Sequence, residues 1–208
     1  METLRERKKR RTRDALLHVA LDLFTAQGYE QTTVDEIADA VEVSQRTFFR
    51  YFPGKEEAAF AVQAMAEAHF IQAVRERPPH EPPLEALRQA MLEGWDTVHE
   101  AIGFVVPVET YLRMFRVIES TPVLLAAHLR RSVETEDTLA RLLAEREGVD
   151  VDTDPRPRLL VAVFGAVMRL TGRVWSMGDD FSVAAMRDLT RWYLDQVGPE
   201  LIGSWRQG

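Results

Sequence analysis

The chain has 208 residues, with 26 lysine and arginine residues against 33 aspartate and glutamate residues, and it contains no cysteine. The absence of cysteine excludes a disulfide scaffold, a cysteine-ligated metal centre and a cysteine nucleophile, and it fits a reducing compartment. The longest apolar run, Leu159 to Met168, has ten residues. Because a membrane span needs roughly 20 apolar residues, we predict no membrane partner.

Charge is unevenly distributed along the chain. The first 55 residues carry 10 basic and 9 acidic side chains, whereas the remaining residues carry 16 and 24. Within the first 13 residues, seven side chains are basic and two are acidic. A basic end on an acidic protein favours a polyanionic partner for that end alone. A solvated arm and a targeting signal are the alternatives.

Apolar residues recur at helical spacing throughout, and no segment alternates as a strand would, so we predict an all-α fold of about nine helices. The first helix ends before Gly28. A capping box of Thr33 and Glu36 predicts the start of a second helix. A third helix is predicted to begin at Ser44 and to end before Pro53.

The fourth predicted helix extends to about Glu76, where a proline-rich segment interrupts the pattern. Beyond it, the spacing of apolar residues predicts further helical segments at residues 84–102, 105–119, 122–147, 156–176 and 183–197.

Two short helices joined by a tight turn after a longer support helix have the arrangement of a helix-turn-helix DNA-binding motif. The third helix would enter the major groove with Ser44, Gln45, Arg46 and Thr47 at its amino-terminal end. Arginine can bridge two guanine atoms, glutamine can bridge two adenine atoms, and hydroxyls reach bases or phosphates. On an ordinary surface helix, Arg46 would be only a solvated charge.

A longer pattern of spaced residues surrounds this motif: Ala20-x-x-Leu23-Phe24-x-x-x-Gly28-Tyr29-x-x-Thr32-Thr33-Val34-x-x-Ile37-Ala38-x-x-x-x-Val43-Ser44-x-x-Thr47-Phe48-Phe49-x-Tyr51-Phe52-x-x-Lys55-Glu56. It closely resembles the amino-terminal domain of the TetR family of bacterial transcriptional regulators. The resemblance implies a helix-turn-helix DNA-binding domain with a basic amino-terminal arm over residues 1–55. It implies a helical ligand-binding and dimerisation domain over residues 56–208.

The resemblance also implies roles for single residues. Thr33, Tyr51 and Lys55 would contact phosphates, and Gln45 and Arg46 would read bases. Ser44 and Thr47 would cap and support the third helix. For Tyr51 the alternative is a place in the core, which is also the expected place of Phe48 and Phe52.

Two positions depart from the family pattern. Phe49 stands where the family often has a phosphate-binding tyrosine, so its ring would pack on a sugar or in the core. Glu42 stands in the turn where the family usually has glycine, so the turn must hold a side chain and a negative charge near DNA. We expect the basic arm to compensate through phosphates or the minor groove.

The last two predicted helices are candidates for a dimer interface. The segment 156–176 is apolar nearly all round and must therefore be covered on all sides, by a partner or by its own chain. Because helix-turn-helix domains usually bind palindromic sites in pairs, we predict a homodimer. The predicted interface residues are Leu160, Phe164, Val167, Leu189, Trp192 and Tyr193.

Large apolar side chains after the proline-rich segment suit a small-molecule pocket, and they equally suit a plain core. The predicted lining residues are Met91, Trp95, His99, Phe104, Tyr111 and Phe115. The segment from Tyr111 to Arg131 is also similar to a TetR subgroup with an acyl-CoA-like ligand domain, of the mycofactocin-regulator type. This similarity implies that four arginines pair with phosphates at a pocket mouth, unless they are only surface charges: Arg113, Arg116, Arg130 and Arg131.

These patterns predict a ligand-responsive regulator that binds a palindromic operator in double-stranded DNA as a cytoplasmic homodimer. Repression, the usual mode of the family, would be relieved by a small apolar or acyl-CoA-like effector. A ligand-independent architectural DNA-binding protein and a helical adaptor are the alternatives. The sequence has no metal-type histidine spacing, nucleophile elbow or phosphate loop, so we predict no enzyme activity, no cofactor and no metal site.

Overall fold

The computed structural model describes residues 3–198, apart from the side chain of Ala101. Within that part of the chain all regular structure is α-helical, which confirms the predicted fold class. The helices are α1 (Leu4–Gln27), α2 (Val34–Ala40), α3 (Gln45–Tyr51), α4 (Lys55–Glu76), α5 (Pro83–Asp96), α6 (Val98–Ile102), α7 (Val108–Ser120), α8 (Pro122–Glu147), α9 (Arg156–Met177) and α10 (Val183–Leu194). The predicted segment 84–102 is divided into α5 and α6 because Thr97 ends α5.

The basic amino-terminal segment is helical rather than an irregular arm. The Thr3 hydroxyl accepts a hydrogen bond from the Glu6 amide, and the Glu6 carboxylate accepts one from the Thr3 amide at 2.7 Å. This capping box starts α1 at Leu4. Hydrogen bonds that the Thr3 amide and then the Thr3 hydroxyl donate to the Glu6 carboxylate lower the pKa of Glu6. The basic residues before Asp14 therefore occupy roughly the first three turns of α1.

The described chain forms two compact units, of which the first combines Met1–Ala66 with Val98–His128. Fully buried side chains of α1, α2 and α3 meet in its core, among them Phe24, Ile37 and Phe48. Helix α7 packs against α1 in the same unit. The units therefore do not follow the predicted boundary at residue 55, because α7 groups with the helix-turn-helix.

The second unit combines Glu67–Thr97 with Leu129–Gly208. Helix α10 packs there against α5 and α9. The rings of Phe70 and Phe164 are buried in this core and stack on each other, with centroids 5.9 Å apart. Phe164 is therefore a core residue of its own chain, which corrects its predicted place in a dimer interface. Leu160 and Val167 are half-buried against the same core.

One arginine fixes the proline-rich segment that follows α4. Arg146 donates from Nη1 to the carbonyl of Arg77 at 2.9 Å and from Nη2 to the carbonyl of Pro78 at 3.0 Å. Arg77 in turn pairs with Glu81 and Glu93, at 2.7 and 2.8 Å. These bonds tie the segment after α4 to α8, and the Pro78 carbonyl also accepts a hydrogen bond from the Glu81 amide at 3.1 Å.

Helix α9 keeps an apolar face that the described part of the chain does not cover. Leu159, Val163 and Leu170 are 63%, 41% and 47% exposed. By its length and the mean hydropathy of its most apolar 18-residue stretch, α9 could cross a membrane, but a core helix of a soluble protein has the same properties. Only 28% of its most apolar 18-residue stretch is buried. On α10, Trp192 is 57% exposed, and Leu189 and Tyr193 are half-buried.

Candidate nucleic-acid interface

Both short helices of the helix-turn-helix begin at the caps that their sequences predict. The Thr33 amide donates to the Glu36 carboxylate at 2.7 Å, and the Glu36 amide donates to the Thr33 hydroxyl at 3.2 Å. Hydrogen bonds from the backbone and then the hydroxyl of Thr33 lower the pKa of Glu36. At the start of α3, the Ser44 hydroxyl accepts from the Thr47 amide at 3.2 Å. The predicted capping box and the predicted Ser44 cap are thus confirmed.

Two phenylalanines anchor α3 from its inner side. Phe48 is completely buried, and Phe52 is 2% exposed, with the two ring centroids 5.6 Å apart. Gln45, Arg46 and Phe49 of the same helix are exposed. The buried phenylalanines therefore hold α3 in place, while its two polar candidates for contact with DNA bases, Gln45 and Arg46, are exposed.

In the described structure, Gln45 has a partner on the neighbouring helix. Its side-chain amide donates to the Asp35 carboxylate of α2. Both side chains are exposed, so water or a base can replace this bond at little cost. Gln45 must release Asp35 before it can bridge an adenine.

The exposed end of α3 also carries an arginine that the sequence reasoning missed. The Arg50 guanidinium lies over the Tyr51 ring at 5.0 Å, and its Nη2 donates to the Tyr51 hydroxyl oxygen at 3.4 Å. The Tyr51 hydroxyl keeps its own proton for donation to a phosphate. The signal for Arg50 was present, because it lies four residues after Arg46 on the same helix.

Lys55, predicted to contact phosphate, is half-buried, and its ammonium group binds backbone carbonyls of its own chain. Its Nζ donates to the carbonyl oxygens of Tyr29 at 2.9 Å and Thr32 at 2.6 Å, and it lies 4.5 Å from the centroid of the Tyr29 ring. Burial lowers the pKa of Lys55, against the opposing influence of the Glu30 and Glu36 charges. Lys55 therefore joins the start of α4 to the loop that precedes α2.

Replacing Lys55 by methionine is expected to lower the free energy of unfolding by about 1–2 kcal/mol, because two carbonyls lose a charged donor. Chemical denaturation measures this loss. Lys9→Met removes the same charge from an exposed position of α1 and serves as the control. Equal stability of the two variants would show that the carbonyl bonds of Lys55 contribute nothing.

The turn between α2 and α3 has a strained residue. Among the described residues other than glycine, Glu42 alone has a positive φ, of 54°. That left-handed conformation costs a residue with a side chain roughly 1–2 kcal/mol, whereas glycine adopts it freely. Glu42 thus keeps the turn that the family makes with glycine, at some cost in stability.

Glu42→Gly is expected to raise the free energy of unfolding by about 0.5–1 kcal/mol, because relief of strain outweighs the added freedom of the unfolded chain. Glu42→Gln removes the charge and retains the strain, so its stability should match that of the native chain while its DNA binding tightens. Urea denaturation compares the three proteins. A glycine variant no more stable than the glutamine variant would contradict the strain.

Four of the predicted pocket residues lie on the surface. Phe104 is 91% exposed, and His99, Arg113 and Arg116 are also exposed. The Phe104 and His99 predictions are therefore wrong as interior lining. These two residues lie in the five-residue helix α6 and in the turn that follows it, and apolar periodicity in the sequence does not predict so short a helix. Met91 and Trp95 are half-buried and belong to the second unit.

A different polar group is buried in the first unit, and His128 links it to Phe115 of the predicted lining. Gln63 of α4 is 9% exposed, and its side-chain nitrogen lies 2.9 Å from Nδ1 of His128. Its Oε1 is buried and has no hydrogen-bond partner within residues 3–198. The His128 ring packs edge-on against Phe115, with centroids 6.3 Å apart, and Tyr111 is 7% exposed. Sequence reasoning missed Gln63, although it interrupts an apolar stretch of α4.

The capped α2–α3 pair, with polar side chains exposed on α3, defines a helix-turn-helix DNA-binding protein. Residues 16–62 match the family described as bacterial regulatory proteins, tetR family, and residues 81–199 match the family described as the MftR C-terminal domain. The chain belongs to the TetR family and is a DNA-binding transcriptional regulator rather than an enzyme.

Individual relatives agree with this assignment. The chain is 47% identical to the HTH-type transcriptional regulator TcmR of Streptomyces glaucescens over 204 residues, which cover 98% of this chain and 90% of TcmR. It is 29% identical over 145 residues to a protein named as the mycofactocin biosynthesis regulator MftR of Mycobacterium tuberculosis, covering 68% and 69% of the two chains. The crystal structure of NalD from Pseudomonas aeruginosa has the same fold, with a TM-score of 0.59, 16% identity, and coverage of 91% and 96%.

Proposed function

We propose that the protein is a cytoplasmic homodimeric repressor that binds a palindromic operator and is released from it by a small apolar effector. The observation that carries the proposal is the exposed amino-terminal end of α3, where Gln45 and Arg46 project from a helix anchored by buried Phe48. Side chains of these types discriminate adenine and guanine in the major groove. A single short helix contacts few base pairs, which favours a pair of such helices on two half-sites.

The open face of α9 supports the dimer. Leu159, Val163 and Leu170 are exposed along one side of the helix, and the exposed Ala162 and Ala166 lie between them. Apolar surface gains about 25 cal/mol for each Å² that is removed from water, and small residues allow two helices to approach closely. The exposed Trp192 of α10 extends the apolar surface of the same unit. We propose that the same face of a second copy of the chain packs against it.

The effector is proposed to contact the buried polar group of the first unit. Gln63 Oε1 is an acceptor without a partner in the described structure, and leaving such a group buried costs about 1–3 kcal/mol. A ligand with a hydroxyl or N–H donor and an aromatic or aliphatic body would satisfy it, near the His128 ring and Phe115. An acyl-CoA-like ligand is the second candidate, supported by the exposure of Arg113 and Arg116 on α7.

Release of DNA follows from a difference in ligand affinity between two states of the dimer. An effector that prefers a state with the two α3 helices at another spacing shifts the population away from the DNA-binding state. Coupling of about 1–3 kcal/mol, or 5–150-fold in operator affinity, is ordinary for such a regulator. Gln63 lies on α4, the helix that follows the helix-turn-helix, so a ligand bound there acts on the element next to α3.

Selection of genomic DNA fragments on the purified protein at near-physiological salt tests the proposal. A shared, nearly palindromic site among the bound fragments is the expected result, and its neighbouring genes identify the regulated pathway. Fragments without a common site would overturn the sequence-specific regulator and favour an architectural DNA-binding protein. Failure to retain any duplex would instead favour a helical adaptor.

A further inference from the structure

We propose that Phe49 is a specificity-determining residue that contacts the C5 methyl group of a thymine in the major groove. The inference rests on the proposed operator binding and adds a base contact made by an apolar side chain. The family pattern commonly places a phosphate-binding tyrosine at this position, and phenylalanine cannot donate a hydrogen bond to phosphate.

The position of Phe49 on α3 is central to the exposed side. At about 100° of rotation per residue, Phe49 lies roughly 40° from Gln45 and roughly 60° from Arg46 around the helix axis. It also lies one turn further along the helix than those two residues. A groove that receives Gln45 and Arg46 therefore lies next to the Phe49 ring.

The ring is both exposed and held in place. Phe49 is 50% exposed, so the core does not account for it. Its inner edge packs against the completely buried Phe48, with ring centroids 5.6 Å apart and an interplanar angle of 88°. A large apolar group that is fixed before binding loses little conformational freedom in the complex.

The chemistry of the major groove limits what such a ring can recognise. Base edges there present hydrogen-bond donors and acceptors, and the C5 methyl group of thymine is the one bulky apolar group among them, which apolar side chains contact. A phenyl ring beside a donor or acceptor would leave that group without its water and without a partner. The thymine methyl is therefore the feature that the Phe49 ring matches.

Replacement of single thymines by deoxyuridine tests this contact, because it removes one methyl group and nothing else. Each thymine of the selected operator is replaced in turn, symmetrically in both half-sites, and the dissociation constant is measured at fixed salt. At one position we expect binding by the native protein to weaken about fourfold per half-site, and about 16-fold for both, as burial of one methyl group predicts.

Variants assign the effect to Phe49. In Phe49→Ala, binding of the unmodified operator should weaken, and the sensitive thymine should then tolerate deoxyuridine within about twofold. Phe49→Leu retains an apolar side chain and should keep part of the sensitivity, which guards against a folding defect in the alanine variant. Arg50→Ala, one residue further along α3, should lose affinity on all DNA but retain the full deoxyuridine effect.

The outcomes separate this inference from the proposed function. An operator that tolerates deoxyuridine at every thymine, or a sensitivity that persists in Phe49→Ala, would overturn the methyl contact while leaving sequence-specific binding intact. If the selection yields no shared site, the proposed operator binding fails and the role of Phe49 fails with it.

Discussion

Val163→Asp is expected to convert the proposed dimer to a monomer and to weaken operator binding at least 100-fold. Val163 lies in the middle of the exposed face of α9, between Leu159 and Leu170. Two aspartates facing each other across an interface would be desolvated and would repel each other. Loss of the dimer also removes the second α3 from the operator. Analytical ultracentrifugation and equilibrium DNA binding measure the two effects.

Phe104→Asp provides the matched control, because it places the same charge at an apolar residue that is 91% exposed outside this face. The control should remain dimeric and bind the operator normally. Circular dichroism checks that Val163→Asp keeps its helical content, as a change at a surface position should. A variant that is folded, dimeric and fully active would show that the dimer uses another surface.

Arg46→Ala is expected to weaken operator binding by about 1–3 kcal/mol per half-site, because a bidentate contact to guanine is lost. Since a palindrome contains two such contacts, the total loss reaches about 2–6 kcal/mol, or roughly 30-fold to more than 10⁴-fold. Specificity at one base pair of each half-site should relax. Competition binding with all four base pairs at each operator position measures both changes.

Arg46→Lys separates charge from geometry, since lysine retains the positive charge but lacks the planar pair of donors. We expect it to bind unrelated DNA as the native protein does while losing preference at the same base pair. Equal losses for Arg46→Ala on the operator and on unrelated DNA would instead make Arg46 a phosphate contact.

Local signals in the sequence predicted the parts of the fold that depend on neighbouring residues. The caps formed by Thr33 with Glu36 and by Ser44 with Thr47 join residues three positions apart, so spacing alone identifies them. The strain at Glu42 was also foreseeable, because a turn between two such helices commonly requires a left-handed residue. These features determine where α3 begins and which side it exposes.

The spacing of apolar residues in the sequence could not predict contacts between residues that are far apart in the chain. Helix α9 is apolar nearly all round, so periodicity could not distinguish the side of Phe164, which faces Phe70, from the side of Val163, which is open. Lys55 reaches the carbonyls of Tyr29 and Thr32, 26 and 23 residues earlier in the chain, and so it has a structural role that its place in the motif does not indicate.

The proposed effector site was the least predictable part, because a buried polar atom without a partner is visible only after folding. Gln63 and His128 lie 65 residues apart in the chain and come together in the first unit. Large apolar side chains are equally typical of cores and pockets, so their presence in the sequence did not select the lining residues.

Sequence-specific binding by a pair of α3 helices can be tested by measuring affinity and stoichiometry on the selected operator. The reference is a scrambled duplex of the same length at near-physiological salt. We predict two chains per operator and an affinity at least about 10³-fold higher than for the scrambled duplex. Equal affinity for both duplexes would contradict sequence-specific recognition by α3, and one chain per operator would contradict the dimer.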